Sequence, residues 1–322
     1  MKKNTESTFQ FTHPDNVFID NISLTYSPKK SSDKEHIHKA VDNEEWLKTW
    51  AKAKPLKGGG VKYLSASANY HTKVELLFPD DTFVKNNTAL LEMNPRNPAT
   101  PFLRLEYNPE KISLEALTTC LNAIMPQDGI NPIFDHGTVT RLDISLDIKQ
   151  VFPYQIILDY MKMQFRTVYF ESGVPTSIYI GKDTGVTQMY MYDKLQEMKD
   201  KEYQINPLSD YQLPTDGLTR IEIRHRPKGS PKFSDMFHLP NLYEPMRIAG
   251  TPPKVKGDKM FDVMRDLCVL KGARHVVKQL GKQGDVEFSK KLEKYSIGAF
   301  LDIHQLWSTL PNALLKVYPH GQ

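Results

Sequence analysis

The sequence predicts an α+β fold: a large, mainly antiparallel, curved sheet with helices packed on one face, followed by a helical C-terminal region. Three observations predict it. Strand-like runs outnumber helical ones, and turns of hairpin length join most neighbouring strands. Two strand–helix–strand passages interrupt them. Beyond a Pro- and Gly-rich stretch from Pro227 to Gly257, the pattern changes to amphipathic helices.

The elements follow in order. The first sixteen residues read as a frayed polar start. Residues 17–26, VFIDNISLTY, read as a strand. The polar segment SPKKSSDKEHIHK follows as a connection, and Val41–Ala53 as a helix with Trp46, Leu47 and Trp50 on one side. Gly58, Gly59 and Gly60 break it; this basic glycine loop lacks the rest of a phosphate-binding motif and reads as entry to a hairpin. Strands are expected at Val61–Ala68 and Lys73–Phe78. A long Pro/Asn/Asp-rich connection spans 79–101.

Phe102–Tyr107 then reads as a strand and Ile112–Met125 as a helix with Leu114, Leu117, Leu121 and Ile124 on one face. Thr138–Ile148 is a strand, Tyr154–Phe165 a helix and Thr167–Glu171 a short strand. Ser177–Ile180 and Thr187–Tyr192 flank the Gly181–Gly185 turn as a hairpin. A charged helix over Leu195–Tyr203 and a strand over Leu218–Arg226 complete the sheet. Pro227–Gly257 reads as a linker. Asp258–Leu280, Val286–Tyr295 and Ile303–Val317, the last broken at Pro311, are the terminal helices.

Composition narrows the class of protein. The chain has 322 residues, 39% hydrophobic and 25% charged, which suits one large folded domain or two modest ones. No apolar run approaches the ~20 residues of a membrane span, so no membrane partner is expected. The opening MKKNTESTFQ has lysines but no apolar stretch behind them, unlike a secretion signal. Cys120 and Cys268 lack metal-type spacing, and a reduced, cytoplasmic setting is expected. From Gly250 onward, twelve Lys and Arg face seven Asp and Glu, so the net charge of +4 comes from this end. That asymmetry points to an anionic partner there; a solvated helical surface is the plain alternative.

Two strands carry the chemistry. Arg141, Asp143, Ser145 and Asp147 alternate with Leu142, Ile144, Leu146 and Ile148. Arg220, Glu222, Arg224 and Arg226 do the same around Ile221 and Ile223. Side by side, they make a carboxylate–arginine surface, and such oxygen ligands suit Mg²⁺ or Mn²⁺. Asp143 and Asp147 lie about 13 Å apart along a straight strand. Asp143 with Glu222 is therefore the better metal pair, and Asp147 is second. Cross-strand ion pairing, Arg220 to Asp143 or Glu222 to Arg141, is the plain alternative.

In the hairpin, Gln188, Tyr190 and Tyr192 share one face and Met189, Met191 and Asp193 the other. A nucleophilic phenol needs help, since forming the phenolate at pH 7 costs about 4 kcal/mol. Lys194, Arg220 and Arg224, or a metal, could supply it. The triplet His36, Ile37, His38 imitates a metal motif, but its polar surroundings argue for a surface accident.

RLDISLD, then SIYIGKDTGVTQMYMYDK, then TRIEIRHR, in this order, resemble the Rep_trans-type initiators of rolling-circle replication in small plasmids and related phages. The resemblance covers roughly residues 100–226, and 17–26 more weakly. It implies that Tyr192, with Lys194 and Arg220 beside it, nicks one strand of supercoiled origin DNA. A 5′-phosphotyrosine and a 3′-OH primer would form, and religation would follow. It implies Asp143 and Glu222, with Asp147, as ligands of Mg²⁺ or Mn²⁺, and Arg141 and Arg224 as phosphate contacts.

Implied partners are an origin hairpin or single-stranded nick site, a host helicase and polymerase, and a second copy in a homodimer. By this reading 1–130 is an N-terminal part of the sheet, 131–230 the catalytic part, and 250–322 a DNA-recognition region. There Lys271, Arg274, Lys278 and Lys282 recur at helical steps as one basic face. Tyr190, on the same face as Tyr192, and Tyr179, on the partner strand, compete as nucleophile. A conjugative-element relaxase would use the same chemistry. A sequence-specific DNA-binding regulator would use none.

Overall fold

The structure, a computed structural model, describes residues 16–42, 69–77, 88–126, 129–161, 163, 165–202, 217–252, 257–279, 290 and 302–319. Eleven strands are seen among these residues: β1 (Phe18–Tyr26), β2 (Tyr70–Leu77), β3 (Thr88–Pro95), β4 (Leu103–Tyr107), β5 (Thr138–Lys149), β6 (Ile156–Tyr160), β7 (Arg166–Glu171), β8 (Val174–Ile180), β9 (Thr187–Asp193), β10 (Leu218–His225) and β11 (Met246–Gly250). The helices are α1 (Ser31–Asp42), α2 (Leu114–Asn122), α3 (Asn131–His136), α4 (Lys194–Glu202), α5 (Lys259–Lys271), α6 (Ile303–Ser308) and α7 (Leu310–Leu315).

The fold is α+β. Nine strands form one sheet in the order β2-β3-β4-β1-β5-β10-β9-β8-β7, and β11 with β6 forms a separate ribbon. Neighbouring strands run antiparallel. Residues 1–130 and 131–230 both contribute strands, with β1 and β5 paired at the centre.

The sheet has two unlike faces, as period-two alternation requires. Ile22 and Leu24, Leu142 and Ile144, Ile221 and Ile223, and Met189 and Met191 form the apolar side and are fully buried. Leu117 and Leu121 of α2, Phe134 of α3, Phe233 and Met236 of a 3-10 turn, and Leu310 and Leu314 of α7 join them in one core. Each such side chain contributes about 1.5–3 kcal/mol. Tyr243 is drawn beneath the sheet, where its Oη donates to the Ile144 carbonyl at 2.8 Å. The opposite face is polar and carries the candidate site.

The sequence reading fails at four places before α5 among the described residues. The polar segment after β1 is a helix, α1, whose Ile37 and Val41 are fully buried. Four-residue spacing gives it one narrow apolar stripe. His36 is exposed on it, while His38 stacks edge-on against Phe102. The supposed connection 79–101 contains β3, where Ala89, Leu91 and Met93 alternate inward.

Tyr154–Phe165 is not helical: its consecutive buried residues Ile156, Ile157 and Leu158 form β6. A short apolar run cannot declare helix or strand by itself. Pro227–Gly257 is not a free linker, because Phe233, Met236 and Tyr243 belong to the core. Most of Val41–Ala53, the loop 57–60, Val61–Ala68 and nearly all of Val286–Tyr295 lie outside the described residues.

Candidate active site

The polar face is assembled by strand register. On β10, Arg220 stands opposite Asp147 on β5, Glu222 opposite Ser145, and Arg224 opposite Asp143. On its other side the same three residues stand opposite Tyr192, Tyr190 and Gln188 of β9. β8 adds Tyr179 opposite Tyr190, and Ser177 opposite Tyr192. β1 brings Asn21 opposite Asp143, after a register shift between Ile19 and Asn21. This bulge brings consecutive polar residues, Asp20 and Asn21, to the site, as bulges beside functional sites often do.

Two ionic clusters result. In the first, Asp143 is fully buried. Arg141 Nε donates to its carboxylate at 2.9 and 3.0 Å, and Arg224 Nε at 3.3 Å to both oxygens. Arg141 also donates to Glu106 Oε1 at 2.9 Å. Glu222 is buried, and Arg224 Nη2 donates to its Oε1 at 3.4 Å; burial first, then the charges of Asp143 and Asp20, hold its carboxyl well above the usual range. Arg224 Nη1 donates to Tyr190 Oη at 2.9 Å, and Tyr190 donates to Gln188 Oε1.

The second cluster centres on Arg220. Its Nε and Nη2 donate to the two oxygens of Asp147 at 2.7 and 2.8 Å. Its Nη1 donates to Asp20 Oδ1 and Glu110 Oε2, each at 2.7 Å. The guanidinium also lies over the Phe18 ring, 4.6 Å from its centroid. One cation thus serves three carboxylates. Burial pushes the Glu110 carboxyl up to about 7 even though Arg220 pulls it down.

Tyr192 stands directly opposite Arg220. With Tyr179, Tyr190, Glu222, Arg141 and Arg224 it lines a cavity of about 600 Å³, bordered also by Asp20, Glu171 and Glu197. Its hydroxyl makes no hydrogen bond among the described residues. Burial raises its phenol pKa, and the Arg220 charge works in the other direction. Lys194 lies 5.9 Å from the Tyr192 ring centroid but donates its Nζ to Glu197 Oε2 at 2.7 Å.

The face therefore brings together Tyr192, Glu222, Arg141 and Arg224, with Asp143 directly beneath the two arginines. Asp147 stands apart, held by Arg220. Lys271, Arg274 and Lys278 are exposed and do not line this cavity. They also do not share one helix, because α5 stops at Gly272, whose φ is +84°. Arg274 belongs to the next helical turns, 273–279, and spends its guanidinium on the Met161 carbonyl at 3.0 Å. Lys282 lies outside the described residues.

Asp20, Asn21 and Glu110 escaped the sequence reading. A signal existed for the first two: Ile19 and Ile22, both buried, are spaced by three rather than two. Among the described residues, no three His, Cys, Asp or Glu side chains are placed to hold a metal ion. Asp143 and Glu222 carry oxygen donors of the kind a hard divalent ion takes, but both Asp143 oxygens accept from Arg141 and Arg224, and Glu222 Oε1 from Arg224. The buried Ser145 Oγ and Asn21 Oδ1 have no hydrogen-bond partner among the described residues.

No family model and no curated protein matches the chain. It is similar to a solved structure of a rolling circle replication initiator protein from Geobacillus stearothermophilus. The identity is 14% and the TM-score 0.37, over 76% of this chain and 90% of that one. Among the described residues, no helix is long and apolar enough to cross a membrane.

Proposed function

We propose that the protein is a tyrosine-type DNA nicking–closing enzyme that initiates rolling-circle replication at a supercoiled origin. One observation carries this reading: the free hydroxyl of Tyr192 shares a cavity with Glu222, Arg141 and Arg224. Tyr190 is the weaker nucleophile, because its hydroxyl is already bonded to Arg224 and Gln188.

In the reaction, Tyr192 Oη attacks a backbone phosphorus in line. Its bond to phosphorus forms as the bond from phosphorus to the 3′ oxygen breaks. The phenol gives up its proton to solvent, and the leaving 3′ oxygen takes one from solvent. Arg141 and Arg224 face the phosphate and offset its developing charge. Asp143 and Glu222 would hold Mg²⁺ or Mn²⁺, which when bound polarises the phosphate. Arg220 orients the strand end that carries Tyr192 and lowers the cost of the phenolate. Reversal of the same step reseals the strand, so no external energy source is needed.

The test is a supercoiled plasmid bearing the cognate origin, incubated with protein and Mg²⁺ or Mn²⁺. A covalent protein–DNA adduct in the wild type, absent from Tyr192→Phe, is the expected result. A second reading is a DNA-binding regulator with a structural polar face. The ion pairs from Arg141 and Arg224 to Asp143 favour it, because they alone account for that buried acid. Tight origin binding without an adduct would decide for the regulator.

A further inference from the structure

We propose that a row of rings, Tyr190, Tyr179 and Tyr169, is a stacking track that carries single-stranded DNA from the cavity to the edge of the sheet. The inference rests on the nicking site read above and names how the strand beside it is held.

The row follows from register. Tyr179 stands directly opposite Tyr190, and Tyr169 stands opposite Ser177, two residues from Tyr179 on β8. Residues two apart on a strand share a face, so all three rings project on the cavity side. They touch in order. Tyr190 and Tyr179 meet edge-on with ring centroids 4.8 Å apart, and Tyr179 and Tyr169 edge-on at 5.0 Å. At the inner end the Arg224 guanidinium lies over Tyr190. Exposure rises outward: Tyr190 is 8% exposed, Tyr179 is half-buried and Tyr169 is 56% exposed.

Packing accounts for the inner two rings and not for the third. Cross-strand aromatic pairs stabilise a sheet through the area they cover, but Tyr169 leaves more than half of its surface in water. Its strand, β7, is an edge of the sheet among the described residues. Natural edges are commonly guarded by charge or proline. Here Tyr169 and its neighbour Phe170 both stand exposed. An aromatic edge of this kind suits a partner with flat apolar faces.

The surroundings select that partner. Tyr190 and Tyr179 line the cavity together with Arg141 and Arg224, which suit a phosphate. Glu171 and Glu197 border the same cavity, so the local charge is mixed and phosphate attraction alone would not hold a strand. Base stacking on aromatic rings supplies the rest, and it tolerates any sequence because every base has a π face. A duplex keeps its bases within its own stack and cannot use the rings. The Tyr169 ring is no more than about 10 Å from that of Tyr190, the rise of roughly three stacked nucleotides. The base on Tyr169 is therefore only a few nucleotides from the cavity.

The test uses the full chain and a fluorescein-labelled oligothymidine strand, followed by fluorescence anisotropy without divalent ions. Tyr169→Thr keeps a strand-forming residue and removes the ring. It is expected to weaken oligothymidine binding about tenfold or more, while it melts as wild type does and binds a duplex of the same length equally well. Tyr169→Phe keeps the ring and should bind the strand as wild type does. The inference is overturned if wild type does not bind oligothymidine, if Tyr169→Thr binds it as tightly as wild type, or if Tyr169→Phe loses as much as Tyr169→Thr. A change of sedimentation in Tyr169→Thr with oligothymidine binding intact would assign this edge to a second copy of the chain and overturn it too. Tyr192→Phe should bind the strand as wild type does, so a failure of the track and a failure of the Tyr192-dependent adduct are read separately.

Discussion

Arg224 Nη1 donates to the hydroxyl of Tyr190 at 2.9 Å, and its guanidinium lies over the same ring, 4.7 Å from the centroid. This grip separates the two neighbouring phenols. Tyr190→Phe leaves Gln188 and Arg224 each short of a partner in a mostly buried place, at a cost of about 1–3 kcal/mol. Adduct formation should survive at reduced rate. Tyr192→Phe should cost little stability and abolish the adduct. Urea denaturation and gel-shifted covalent complex measure the two effects. The reverse pattern would move the nucleophile to Tyr190.

Arg220 has the opposite character, since three acids depend on it. It is 3% exposed, and removing it leaves Asp147, Asp20 and Glu110 without their shared cation. Breaking a buried pair in this way costs about 3–5 kcal/mol. Arg220→Ala should lose that much in urea denaturation at pH 7. Arg220→Lys should lose less, because it keeps the charge but not the two-bond contact with Asp147.

Gly272 sets the break between α5 and the basic turns that follow. Its φ is +84°, and a Cβ there would sit 2.0 Å from Asp159 Oδ1. Gly272→Ala should therefore destabilise the protein by more than about 1 kcal/mol and loosen the 273–279 turns. Asp159 Oδ2 accepts from the Arg274 backbone N–H at 3.2 Å. Burial raises the Asp159 carboxyl above its ordinary range. In the pH window above the ordinary aspartate value, the folded state thus binds more protons than the unfolded state. Stability from this group is present below that window and is lost as pH rises through the raised value. Asp159→Asn should remove that slope in melts run from pH 4 to 7.

The polar face was legible where it follows a period of two. Arg141 to Asp147 and Arg220 to Arg224 alternate with aliphatic residues, so their faces can be read directly. Asp20 and Asn21 break that period through a bulge, which is a property of register between strands and not of either strand alone. Glu110 reaches Arg220 from beyond the end of β4, a contact between residues 110 positions apart. β6 was misread because Ile156, Ile157 and Leu158 are all buried, which erases the alternation. The basic stripe was misread because residue spacing cannot see a helix end. Gly272 was its only warning.

The pH profile of nicking follows from the surroundings of Tyr192. Burial holds its phenol above the ordinary value, with Arg220 pulling it partly back. Between pH 7 and 9 the hydroxyl is therefore protonated in nearly all molecules, and the phenolate fraction grows about tenfold per pH unit. If deprotonation precedes attack, single-turnover adduct formation should rise by the same factor per unit across this range. Weakening the cation should lower the whole curve, because the phenolate then costs more. Arg220→Lys, which keeps the charge but places it less well, tests this with the slope unchanged. A flat wild-type profile would mean that a neighbouring base removes the proton during attack, and Glu222→Gln would then be the variant to measure.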